Sequence, residues 1–355
     1  MNRKQSHGAL IVMLAPAGTH VKPFCTAFVA ALRKRYHTVR AFSGANMLAA
    51  ARADVRAVRA GVELAAMPRP VQPAASLADT RAAHQALRDV LDAACAHDVF
   101  ICGDSVAMQL AARLALWGRE AALPFRWIGV PCCPFNSVAF TDHSIGFGPA
   151  LNWCADTARE LLSARAADAH RAPVAILEIA GDRVGWLTAG AAALAAPHTQ
   201  AIALLPDASV DSAVLAAEVK RSIGAHGTAL IVSAATGRAP DRARIAAMLG
   251  QQLHLEAACA QVCPGEMFDE AHCAARCARE HSRAGTAAAR PRAARANGMM
   301  LIAQRASAGA YSLSYSFIPI GEAVNTPRRV PEQFVRQRHY RVAPGLSAYL
   351  EPLVS

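Results

Sequence analysis

Lysine is nearly missing from this chain: of 37 Lys and Arg residues only four are lysines, at Lys4, Lys22, Lys34 and Lys220. Aromatic residues are also sparse, at 6%. No regular basic helix and no aromatic RNA-binding signature accompany the net charge of +11, so a nucleic-acid partner finds little support. No apolar run reaches the ~18 uninterrupted residues that a membrane span needs, and Pro197, His198 and Gln200 break the most apolar region. No Cys-x2-Cys pair occurs among the ten cysteines, which excludes the usual zinc-ribbon spacing.

Hydrophobic residues, by contrast, make up 54% of the chain, enough to exclude a disordered polymer. A length of 355 residues suggests two domains. Ten cysteines spread through so large and apolar a chain fit reduced thiols and a cytoplasmic location better than a secreted disulfide scaffold. The start, Met1-Asn-Arg3-Lys4 followed by Ala9 to Ala15, mimics a signal peptide, yet it reads better as a buried first strand entering a loop at Pro16-Ala17-Gly18. The excess of positive charge points to anionic partners. The arginines, however, cluster in Arg276–Arg305 and Arg328–Arg341, which read as surface composition.

Short apolar runs alternate with amphipathic or alanine-rich segments. Strands are expected at Ala9–Leu14, Thr38–Phe42, Asp98–Cys102, Arg126–Val130, Val174–Ile179, Ala201–Leu205, Ala229–Ser233 and Met299–Gln304. Helices are expected at Phe24–Lys34, Leu77–His97, Ser105–Trp117, Ala150–Ala167, Arg183–Ala195, Val210–Ala225 and Arg242–Leu249. This alternation predicts an α/β protein, a parallel sheet with helices on both faces. Such sheets bind ligands at the carboxyl ends of their strands. Attention therefore falls on the loops after Leu14, Cys102, Val130 and Ile179.

The sharpest motif follows the fourth strand: Gly129-Val-Pro131-Cys-Cys-Pro-Phe135-Asn136-Ser137, then Thr141-Asp142-His143-Ser-Ile-Gly146-Phe-Gly148-Pro-Ala150. Two glycines and two polar groups before a helix start form a plausible phosphate cradle. The chain here resembles the phosphofructokinase family, especially its pyrophosphate-dependent branch, which carries Gly-(Ile/Val)-Pro-Lys-Thr-Ile-Asp-Asn-Asp and then Thr-Asp-His-Thr-Pro-Gly-Phe-Gly-Ser-Ala. A second match is Glu178-Ile-Ala-Gly181-Asp-Arg183-Val-Gly185-Trp186-Leu187, similar to Glu-Val-Met-Gly-Arg-x-x-Gly-Trp-Leu; a third is Leu205-Pro206-Asp207. The tail from Phe317 to Leu353 also follows the pyrophosphate-type ending. The resemblance implies two doubly wound Rossmann-like lobes with mainly parallel sheets and a cleft between them. Residues 1–140 with about 247–305 would form the phosphoryl-donor lobe, and about 141–246 with 306–355 the sugar-phosphate lobe.

The resemblance also implies roles. Gly18, Gly103, Asp104, Ser105 and Thr141 would hold the phosphoryl donor, with Asp104 the Mg²⁺ ligand; a helix N-cap explains Asp104 equally well. Asn136, Gly181, Arg183 and Asp207 would hold the sugar phosphate. Aligned from Pro131, Phe135 and Ser137 stand at the family's two aspartates, and Phe135 takes the place of the general base. Asp182 takes an arginine position and would repel a sugar phosphate. Asp142 and His143 are the nearest replacement bases. Losing a general base removes about 10²–10⁴-fold in rate. The expectation is therefore a diverged 6-phosphofructokinase-like protein, weak or inactive in transfer from pyrophosphate or ATP to fructose 6-phosphate. The alternatives are a non-catalytic regulatory or scaffold subunit, as a homo-oligomer or beside an active paralogue, and a phosphotransferase repurposed for another acceptor.

Cys259, Cys263, Cys273, Cys277 and His281 invite a metal reading, because i,i+4 spacing places ligands on one helical face. The weightier expectation is that these cysteines pack as small hydrophobes in an alanine-rich helix.

Overall fold

The structure, a computed structural model, describes residues 8–15, 21–43, 85, 88, 89, 91, 92, 96–167, 172–197, 199–237, 239–265, 272–290, 297–308 and 310–354. The expected helix Leu77–His97 lies mostly outside these residues, and its last two positions belong to a strand.

Six strands form the first sheet: β1 (Gly8–Met13), β2 (Val39–Ser43), β3 (Ala96–Gly103), β4 (Arg126–Pro131), β9 (Met299–Arg305) and β10 (Leu313–Pro319), in the order β10-β9-β4-β3-β1-β2. All pairings are parallel except β9 with β10. The second sheet is wholly parallel and holds β5 (Val174–Ile179), β6 (Ala201–Leu204), β7 (Ala229–Ser233) and β8 (Ala257–Val262), in the order β6-β7-β5-β8. A short antiparallel ribbon, β11 (Val335–Arg336) with β12 (Arg341–Val342), closes the chain's strand set.

Each main sheet is covered on both faces, as its near-continuous apolar strands require. On β1, Ala9, Ile11 and Met13 face α1 (Lys22–Arg33), while Leu10 and Val12 face α2 (Ser105–Glu120). On β5, Ala175, Leu177 and Ile179 face α3 (Phe147–Ala166) and α4 (Trp186–Ala195). Val174 and Ile176, on its other side, face α5 (Ser212–His226) and α6 (Arg242–Leu253). The period-2 alternation of a strand thus sorts side chains into four cores, and the fold is doubly wound. Arg341 ties the ribbon to the second unit, donating to Glu218 Oε2 at 2.9–3.0 Å and to the carbonyls of Thr199 and Ala201.

Several elements, β8, β10 and the helix α7 (Ala275–Ala288) among them, were not among the strands and helices expected from the sequence. β8 is an alanine-rich strand at the edge of its sheet and half exposed, so it shows neither a continuous apolar run nor clean alternation. The helix α7 lies in the arginine cluster that composition assigns to the surface. It packs on α1 through Gly285, where a Cβ would stand 2.5 Å from the Phe24 carbonyl oxygen. Two more helices follow β10: the single turn α8 (Ile320–Ala323) and α9 (Gly345–Val354), which packs into the core between α3 and α4. β8 lies in the second sheet and β9 in the first, so the expected segment 247–305 contributes to both; in 306–355, β10 joins the first sheet and the ribbon β11–β12 stands apart from both. No helix among the described residues is long and apolar enough to cross a membrane.

Candidate functional site

The carboxyl ends of β3, β4 and β5 bring the motif loops together. At the end of β3, Gly103 has no room for a side chain: a Cβ would lie 2.4 Å from Ala107 Cβ and 3.3 Å from the Leu14 carbonyl. Asp104 caps α2, its Oδ1 accepting from the amides of Val106 and Ala107 at 3.0 and 3.1 Å. The Ser105 amide donates to Ser137 Oγ at 3.4 Å, which joins this loop to the one after β4. Gly18 lies outside the described residues.

After β4, the Cys132 amide donates to the Gly103 carbonyl and the Cys133 amide to that of Ile145, both at 2.8 Å. Phe135 projects toward the second sheet, where its ring packs on Gly181 in the loop after β5. Asn136, at φ +56, turns its Oδ1 to the Ser144 amide at 3.0 Å and so holds the Thr141–Gly146 segment.

That segment is built into the protein. Thr141 is buried; its hydroxyl donates to the His143 carbonyl and accepts from the Ala303 amide on β9. α3 starts three residues earlier than expected, with Gly146 as its cap at φ +96. The expected cradle is filled by protein. The Gly146 amide donates to His281 at 3.1 Å, and a Cβ on Gly148 would stand 2.9 Å from the Leu353 carbonyl.

Asp142 and His143 sit in a buried polar chain. Asp142 accepts from Arg305 Nε at 3.0 Å, from the Tyr349 hydroxyl at 2.7 Å and from His143 Nδ1 at 3.0 Å. The far side of His143 faces Glu280 Oε2 at 3.7 Å, and Tyr311 donates to that same oxygen at 3.3 Å. Arg305 lies over the rings of Tyr349 and Tyr311, with its central carbon 3.9 and 4.6 Å from their centroids. Arg328 donates to the Asp142 carbonyl and stacks on Trp186. Burial by itself would raise the Asp142 carboxyl, but His143, Arg305 and Tyr349 hold it well below the usual carboxylate range. Burial raises Glu280 and pushes the Tyr349 phenol up to about 12. A carboxylate so firmly held, with its lone pairs committed, is a poor proton acceptor. His143 is also enclosed, its side chain 5% exposed.

Beyond β5 the expectations divide. Asp182 does not face solvent: it is fully buried, and its carboxylate accepts from the Gly185 and Thr188 amides and the Thr188 hydroxyl at 2.8–2.9 Å. It secures the first turn of α4 and is not placed to repel a ligand. Gly181 holds φ +85, and Arg183 beside it is exposed. Asp207 is exposed and pairs with Arg329. Glu178 is buried against the Arg242 amide at 2.8 Å and Gln261.

For a hard divalent cation, Asp104 fits as a single carboxylate ligand. Its Oδ1 is spent on the cap, and its Oδ2 accepts no hydrogen bond among the described residues. Sequence reasoning missed Arg305, Tyr349, Glu280, Tyr311 and Arg328. They come from segments far along the chain, and three of them, Glu280, Arg305 and Arg328, stood in stretches read as surface composition. The i,i+4 spacing of Cys273, Cys277 and His281 did carry a signal: their ligand atoms all lie within 4.8 Å of one another. Cys259, by contrast, is exposed on β8 and stands apart from that group.

Comparison with known proteins gives a consistent picture. The sequence model for phosphofructokinase matches residues 70–274. The pyrophosphate–fructose 6-phosphate 1-phosphotransferase of Xanthomonas campestris pv. campestris (strain B100) is 27% identical over 307 residues, which is 79% of this chain and 73% of that protein. A sulfofructose kinase of Alkalicoccus urumqiensis is 38% identical over 89 residues, 25% of this chain. The crystal structure of a pyrophosphate-dependent phosphofructokinase from Nitrosospira multiformis superposes with a TM-score of 0.81 at 18% identity, covering 99% of this chain and 92% of that one.

Proposed function

Because the chain belongs to the phosphofructokinase family, we propose that it is a diverged phosphotransferase homologue that transfers phosphate to fructose 6-phosphate weakly or not at all. One observation carries this reading. The Phe135 ring packs on Gly181, at the position where the resemblance, aligned from Pro131, puts the family's general base, and Asp142 and His143, the nearest replacements, are enclosed. Phenylalanine accepts no proton, and loss of a general base costs about 10²–10⁴-fold.

What is left favours binding over turnover. Asp104 Oδ2 would hold Mg²⁺, whose charge would neutralise the phosphates of pyrophosphate or ATP. Gly181, Arg183 and Asp207 would meet a phosphorylated sugar at the opposite loops. In this reading the protein works in the cytoplasm as a non-catalytic subunit, either as a homo-oligomer or beside an active paralogue. The test is an assay of the purified chain with fructose 6-phosphate, Mg²⁺ and either pyrophosphate or ATP. The expected outcome is saturable ligand binding with turnover at least about 10²-fold below an active family member. Fructose 1,6-bisphosphate formed at ordinary rates overturns the reading.

The local match to a sulfofructose kinase favours a second reading, a phosphotransferase for a different acceptor. Donor consumption across a panel of sugar phosphates and sulfonates separates the two.

A further inference from the structure

The cluster at the head of α7 has no part in the reading above. Cys277 in the first turn of α7 and His281 one turn later share one helical face, and Cys273, two residues before the helix, is brought beside them by the chain entering it. Cys277 Sγ stands 3.4 Å from His281 Nε2, and all three ligand atoms lie within 4.8 Å of one another. Tetrahedral zinc, with bonds of about 2.3 Å to sulfur and about 2.0–2.1 Å to nitrogen, sets neighbouring ligand atoms about 3.6–3.8 Å apart. The preformed spacing of Cys277 and His281 is within a few tenths of an ångström of that requirement. Cys277 and His281 are 2% and 1% exposed, whereas Cys273 is half-buried and opens the cluster to one side.

We propose that Cys273, Cys277 and His281 form a zinc site with its fourth position open toward water on the Cys273 side. Two thiolates and one imidazole suit this borderline-soft cation and disfavour Mg²⁺ and Ca²⁺, which take oxygen ligands. Binding displaces one proton from each thiol, and both protons leave to solvent as the two sulfur–zinc bonds form. Affinity therefore rises with pH. The Nε2 lone pair that now accepts the Gly146 amide becomes a metal ligand, so one hydrogen bond is exchanged for a coordinate bond. Gly146 caps α3 and closes the Thr141–Gly146 segment, which places the zinc site directly behind the motif loop. Nothing in this site depends on phosphoryl transfer or on sugar binding.

The test uses the full chain, stripped of metal under reductant and titrated with zinc chloride against a chromophoric chelator. One equivalent of tight binding is expected. Cobalt substituted for zinc is expected to show a thiolate-to-metal charge-transfer band. Cys273→Ser is the decisive variant because its side is half-exposed and its fold can be checked by circular dichroism. It is expected to weaken zinc binding by more than about 100-fold, beyond the 10–100-fold effect of an outer-shell partner. The double variant Cys259→Ser with Cys263→Ser is expected to bind like the parent. The proposal is overturned by substoichiometric binding, by a cobalt spectrum without the thiolate band, or by a folded Cys273→Ser variant of parental affinity. A Cys273–Cys277 disulfide in chain isolated without reductant, resistant to zinc, also overturns it.

Discussion

The ring of Phe135 packs on Gly181, its Cζ 3.0 Å from the point where a Cβ on Gly181 would lie. The contact joins the loop after β4 to the loop after β5, and so joins the first sheet to the second. A small carboxylate at residue 135 would leave that space open. Here an apolar ring fills it, and glycine opposite is what admits the ring.

Gly181→Ala is expected to destabilise the fold for two separable reasons. The backbone angle of φ +85 costs a non-glycine residue about 1–2 kcal/mol. The new methyl must also displace the Phe135 ring. In a Phe135→Ala background only the first cost remains. A double-mutant cycle by urea denaturation should therefore show a coupling of about 0.5–3 kcal/mol; strict additivity would argue that the two residues do not touch in solution.

Asp142 gives the protein an acid-sensitive limb. Its folded-state carboxyl is held below the unfolded value of about 3.9. The stabilisation is therefore fully present above that value and is lost as pH falls below it toward the depressed folded one. Asp142→Asn should lower stability near neutral pH by about 3–5 kcal/mol, since it leaves Arg305 half-buried without its carboxylate. Denaturation midpoints measured from pH 7 down to pH 2 should then fall less steeply in the variant than in the parent.

Asp104 separates capping from metal binding. Asp104→Ala should cost about 0.5–2 kcal/mol of stability through loss of the α2 cap, whereas Asp104→Ser, which still caps, should melt close to the parent. If Oδ2 holds Mg²⁺, both variants should lose Mg²⁺-dependent pyrophosphate binding by calorimetry. Retained binding in a stable Asp104→Ser protein would remove Asp104 from the site.

Gly285→Ala tests how α7 is docked. The new methyl would press on the Phe24 carbonyl at 2.5 Å and the Phe28 amide at 2.9 Å, backbone atoms that yield only if α1 and α7 separate. Overpacking of this kind costs about 1–3 kcal/mol, read as a drop in thermal midpoint. The substitution is expected to loosen the Cys273–His281 face as well, because the same helix carries it.

Much of the architecture was legible in the chain. Val174–Ile179 and Ala229–Ser233 are strands with the bounds that their apolar runs predict, because a strand buried on both faces reads as a near-continuous apolar run; the two polar exceptions, Glu178 and Ser233, are hydrogen-bonded. β8 was not legible: an alanine-rich edge strand acquires its conformation by pairing with β5, not from its own pattern. The candidate site was legible as loops and illegible as chemistry. Asp182 looked like a repulsive charge, yet local amides absorb it; Thr141 and Gly148 looked like a phosphate cradle, yet β9 and α9 occupy it.

The sequence by itself determined the α/β alternation, the family motifs and the phenylalanine at residue 135, since each is a property of residue type and short-range spacing. Only the tertiary structure decided what Asp142 does. Its partners Arg305 and Tyr349 lie 163 and 207 residues away, a distance that no local periodicity spans. The few lysines and many arginines show the same division. Composition assigned Arg305, Arg328 and Arg341 to the surface. Folding buries or half-buries them on Asp142, Trp186 and Glu218, because a charge taken from water must find a partner.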